Sequence, residues 1–61
     1  MPIVTHFTLR VIGDAYAITA QHNEDEFVVR CWSINPANLK DARKVLNTLA
    51  TTLDVNTTQY V

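Results

Sequence analysis

The sequence predicts an α+β fold: a three-stranded antiparallel sheet in β-β-β-α order, with one helix packed on one face. Three observations carry this expectation. The first half contains three runs rich in β-branched and aromatic residues, at 2–12, 15–22 and 27–34, the composition favoured on a pleated, half-buried surface. Turn-forming residues interrupt those runs at Gly13-Asp14 and at Asn23-Glu24-Asp25-Glu26. After Asn35-Pro36 the apolar residues recur at helical rather than alternating spacing.

The first turn follows from its glycine. Gly13 is the only glycine of the chain, and a glycine followed by a polar residue suits a two-residue type II′ hairpin, whose first central position needs a positive φ. The acidic stretch 23–26 reads as a second, longer hairpin loop. Together the turns set a register. With Ile12 opposite Ala15, Val11 meets Tyr16, Leu9 meets Ile18 and Phe7 meets Ala20. With His22 opposite Phe27, Ala20 meets Val29 and Ile18 meets Cys31. One face then carries Phe7, Leu9, Val11, Tyr16, Ile18, Ala20, Phe27, Val29 and Cys31. A slip of one residue would turn every one of these side chains outward, so this face is the expected core. Cys31 is expected there as a small buried hydrophobe.

The helix opens on a favoured N-cap, Asn35, followed by Pro36 at the first helical position, where the missing N–H costs nothing. Leu39, Ala42, Leu46, Leu49, Ala50 and Leu53 form its apolar stripe, while Lys40, Asp41, Lys44, Thr48 and Thr51 point away. Residues 54–61, DVNTTQYV, are too short and threonine-rich to prolong it. They are read as a flexible tail or a short extra strand.

One helix covers one face. The opposite face is expected to carry Val4, His6, Thr8, Arg10, Ile12, Ala15, Ala17, Thr19, Gln21, Val28, Arg30, Trp32 and Ile34, more apolar than a solvent-facing sheet requires. Its candidate partner-binding residues are His6, Arg10, Val28, Arg30, Trp32 and Ile34, because Trp and Arg are the types enriched at the centres of protein interfaces. The plainer alternative is an amphipathic face whose one Trp is shielded by arginine stems.

Composition narrows the function classes. The 61 residues make one domain, and a chain of that length buries little core, so oligomerisation is the expected supplement. One cysteine forbids an intrachain disulfide. The net charge of −1 lacks the basic excess of an isolated nucleic-acid module. His6, His22 and Cys31 lack zinc-ligand spacing, no carboxylate pair stands out as acid and base, and no glycine-rich phosphate loop exists. No catalytic residue, metal or cofactor is expected. Glu24, Asp25 and Glu26 at the hairpin tip, and Lys40, Arg43 and Lys44 on the helix, read first as solvated charge. With no stretch of membrane-spanning length and no secretory pattern, a cytoplasmic protein is the default.

The resulting expectation is a small non-enzymatic protein-interaction module, a homodimer that regulates or inhibits a larger complex. By class-level analogy, a small chain with no targeting signal and no active-site residues suits a phage-encoded or antitoxin-like modulator, and in outline alone the order strand, acidic turn, strand, capped helix resembles antitoxin domains of the HicB type. The alternative is a nucleic-acid-binding module using the open sheet face through Arg10, Arg30 and Trp32, with charge against it.

Overall fold

The computed structural model describes residues 4–61 and shows the expected α+β architecture. Residues 2–3, read above as the start of the first strand, lie outside the described residues. Strands β1 (Val4–Ile12), β2 (Ala15–His22) and β3 (Asp25–Ser33) precede helix α1 (Pro36–Leu53) and strand β4 (Asn56–Gln59). The sheet order is β3-β2-β1-β4.

The β1–β2 hairpin has the expected register, with Ile12 paired to Ala15, Leu9 to Ile18 and Phe7 to Ala20. Gly13 supplies the positive φ of 59° at the turn. A register irregularity between Val4 and His6 turns Val4 toward the core, not onto the open face where strict alternation puts it.

The β2–β3 hairpin departs from expectation twice. Its loop contains two residues rather than four: His22 pairs with Asp25, and Asn23 takes a φ of 56°, a left-handed conformation that Asn tolerates better than most residues. Ala20 therefore faces Phe27, not Val29. The register then shifts, since Thr19 pairs with Val28 but Ile18 pairs with Arg30. Val29 is the extra residue of a β-bulge, and it reverses the alternation of everything that follows.

The remaining segment is a strand, not a tail. β4 pairs parallel to β1, His6 with Asn56 through Leu9 with Gln59, so the sheet is mixed rather than purely antiparallel. Parallel neighbours need a long crossover, which α1 provides.

Helix α1 is capped as its sequence indicates. The Asn35 side chain accepts from the Ala37 N–H at 2.9 Å, and Pro36 occupies the first turn. Asp54, left-handed at φ 53°, ends the helix and returns its N–H to the Ala50 carbonyl. The helix buries Ala42 and Leu46 against Phe7, Leu9, Ile18 and Ala20, with Leu39, Val45 and Leu49 packed at the margin. Leu53, expected in the stripe, is exposed at the last turn. Among the described residues only Leu9, Ile18 and Leu46 are large side chains with essentially no exposure, which makes this a thin core.

Candidate functional site: the cleft between β3 and α1

The bulge decides which face each β3 side chain occupies. Arg30 and Trp32 pair with Ile18 and Tyr16, so both lie on the helix side of the sheet rather than on the open face predicted from strict alternation. Cys31 pairs with Ala17 and is exposed on the opposite side, not buried in the core. The physical reason is one unpaired residue. Val29 adds a position to β3 that β2 does not match, and the side-chain period of two carries the shift to the end of the strand.

The six candidate residues therefore divide. His6, Arg10 and Val28 stand on the open face. Arg30 and Trp32 stand on the helix side, and Ile34 is exposed beyond the last ladder pair of β3. Arg10 and Trp32 thus lie on opposite faces of the sheet.

The middle of the open face is covered by its own side chains. Arg10 Nη2 donates to Glu26 Oε2 at 3.0 Å, reaching from β1 to β3 across β2. Tyr60 carries the layer onward, its ring centroid 5.6 Å from the Arg10 guanidinium. His6 Nε2 lies 2.6 Å from Thr58 Oγ1. Beneath this layer Thr8, Ala17 and Thr19 retain only 6%, 2% and 3% exposure. The Arg10 stem and the Tyr60 ring supply apolar cover there, as long amphipathic side chains do. Alternation alone missed this layer, since Tyr60 belongs to a segment whose strand character was left open.

On the helix side the situation is reversed. α1 packs over β1 and β2 and leaves β3 uncovered along nearly its whole length, Trp32 alone being partly buried. Between them lies an open cleft of about 500 Å³, lined by Arg30, Trp32, Asp41, Lys44, Val45, Thr48 and Leu49. The Arg30 guanidinium sits over the Trp32 ring, 5.2 Å from its centroid, within the range of a cation–π contact. Val45 and Leu49 give the floor an apolar character, and Asp41 and Lys44 place one charge of each sign at the rim. Phe27, 47% exposed on the same side, extends the apolar surface along β3, with Val29, 37% exposed, at the bulge.

The basic helix face is only partly free. Arg43 Nη2 donates to the Val61 carbonyl at 3.0 Å, tying the C-terminal segment to α1, while Lys44 lines the cleft. Among the described residues no group of three or more His, Cys, Asp or Glu side chains is placed to hold a metal ion. No described helix is long and apolar enough to cross a membrane. No family model, curated protein or solved structure matches the chain.

Proposed function

We propose that the chain is a non-enzymatic protein-interaction module, acting as a regulator or inhibitor by occupying a partner, with the β3–α1 cleft as its docking surface. The supporting observation is the Arg30–Trp32 stack at the wall of an open, apolar-floored cleft beside an uncovered strand. A rigid aromatic and a guanidinium next to an accessible pocket are what a protein interface uses as anchors. The uncovered strand adds backbone donors and acceptors that an extended partner segment could pair. The sequence-based expectation of an interaction surface is thus kept, with Trp32 and Arg30 still at its centre but on the helix side.

The nucleic-acid alternative gains no support from the geometry. It needs Arg10, Arg30 and Trp32 on one surface, and they lie on two, with Arg10 engaged by Glu26. A net charge of −1 adds no attraction for phosphates.

Affinity capture from the native host, with wild type and Trp32→Ala compared side by side, tests the proposal. The expected result is a protein partner retained by wild type and bound at least about 30-fold more weakly by Trp32→Ala, the loss of roughly 2 kcal/mol that marks an interface anchor. Salt-sensitive oligonucleotide binding lost on Arg10→Ala or Arg30→Ala would overturn it.

A further inference from the structure

The helix side of the sheet is covered unevenly. Four strands at a spacing of about 4.8 Å make a sheet roughly 19 Å wide, and one helix about 10 Å across covers two of them. Burial of Ala42 and Leu46 against Phe7, Leu9, Ile18 and Ala20 fixes α1 over the middle pair, β1 and β2. On the β4 side the chain fills the remaining width itself. Val55 and Val61 pack at the margin of the core, and Arg43 holds the Val61 carbonyl. On the β3 side nothing among the described residues does the same, and the cleft of about 500 Å³ lies there. A helix laid beside α1 at the usual axis separation of about 8–10 Å would run along β3.

We infer that the cleft receives one amphipathic helix of a partner protein, apolar where it meets Trp32, Val45 and Leu49, with carboxylates at its flank for Arg30 and Lys44. The inference rests on the reading of the β3–α1 cleft as the docking surface and names the element that enters it. From Phe27 to Trp32 the floor spans roughly 16 Å, which is about three turns of helix.

Two rival occupants fit less well. An extended segment would add to the β3 edge, but the bulge at Val29 interrupts the backbone ladder in mid-strand and Arg30 follows it as a charge. Bulges and charges of this kind are what discourage strand addition. A second copy of the chain would have to supply an apolar helix face or a free segment. The outward face of its only described helix carries Lys40, Asp41, Lys44, Thr48 and Thr51, and its C-terminal segment is engaged through β4, Tyr60 and Arg43.

The wall and the charges of the cleft specify the helix further. Asp41, Val45 and Leu49 form one i, i+4 row of α1 along the cleft, and the same row continues to Leu53, 51% exposed. Such a row is the ridge that a neighbouring helix packs against. Cations outnumber acids at the cleft, Arg30 and Lys44 against Asp41, although the whole chain carries a net charge of −1. Neither cation is in an ion pair with a described residue, the pair formed there being Arg10–Glu26. Carboxylates on the incoming helix would complete them, while its apolar ridge covers the Trp32 ring, the mode by which grooves take amphipathic helices.

Panning a phage-displayed library of random 16-residue peptides on the wild-type chain, with counter-selection on Trp32→Ala, tests the inference. Trp32 packs partly against the core, so counter-selection on Arg30→Glu, an exposed position, is run in parallel to guard against a variant that fails to fold. The expected peptides repeat apolar residues at i, i+4 and i+7 and carry Asp or Glu beside them. A synthetic peptide from that pool should shift the fluorescence of Trp32, the only tryptophan, gain helical circular dichroism on binding, and bind Arg30→Ala or Lys44→Ala at least tenfold more weakly. Trp32-dependent peptides that alternate with period two, that are rich in Lys or Arg, or that bind both alanine variants unchanged would overturn the acidic helix and leave the docking reading standing. Enrichment of no peptide that depends on Trp32 or Arg30 would remove both.

Discussion

Cys31 registers the effect of the bulge in one side chain. Strict alternation from the Ala20–Val29 pairing places its thiol under the helix, whereas the observed pairing with Ala17 leaves it exposed on the opposite face. The two placements differ in chemistry. A thiol buried among apolar side chains is inert, and an exposed one is open to a thiol reagent. Native protein should therefore give one equivalent of thiol with an aromatic disulfide reagent, at a rate within a few-fold of that in denaturant. Protection by orders of magnitude would return Cys31 to the core and Trp32 to the open face. The opposite correction at Val4 has the same origin, an irregularity between Val4 and His6 that breaks the period of two near a strand end.

At the scale of elements, much was legible because strong local signals agreed with the hydrophobic pattern. The first hairpin follows from Gly13 and the apolar agreement of Leu9 with Ile18, and the helix follows from its Asn35-Pro36 start and the Ala42–Leu46 stripe. The second hairpin was not legible, for a physical reason. Phe27, Val28 and Val29 are three consecutive apolar residues, so no alternation exists to set the register or to expose the bulge. Asn23-Glu24 is also a weaker turn signal than Asn-Gly. β4 remained ambiguous because four residues carry too little pattern, and its placement depends on the crossover through α1. The bulge yields a direct test. In the observed ladder Val29 is surplus, so deleting it joins the Thr19–Val28 and Ile18–Arg30 pairs into a regular strand and leaves Arg30 and Trp32 on the helix side. Nuclear Overhauser contacts from the Trp32 ring to Leu49 and Val45 should survive the deletion. In an unbulged strand the same deletion would swap the faces of Arg30 and Trp32.

At the scale of the whole molecule, the balance between core and surface connects stability with assembly. Among the described residues three large side chains are fully buried, while the β3 edge leaves Phe27, Val28, Val29 and Ile34 in water. Folding a chain of this size yields little net stability from one core. Burying the β3 strip in a partner would add apolar contact and satisfy edge backbone groups, and were that partner a second copy, unfolding and dissociation would be linked by mass action. Where unfolding of the dimer releases two unfolded chains, a tenfold rise in concentration stabilises each protomer by about 0.7 kcal/mol. For a domain of this length that corresponds to a rise in Tm of roughly 3–6 °C. Calorimetry across two decades of concentration separates the two cases. A foreign helix as the partner leaves the wild-type Tm flat, whereas a self-pairing β3 edge gives this slope in wild type and loses it in Val28→Lys. A wild-type Tm independent of concentration would mean that this thin core is sufficient alone, and that the apolar β3 strip remains exposed for a different protein.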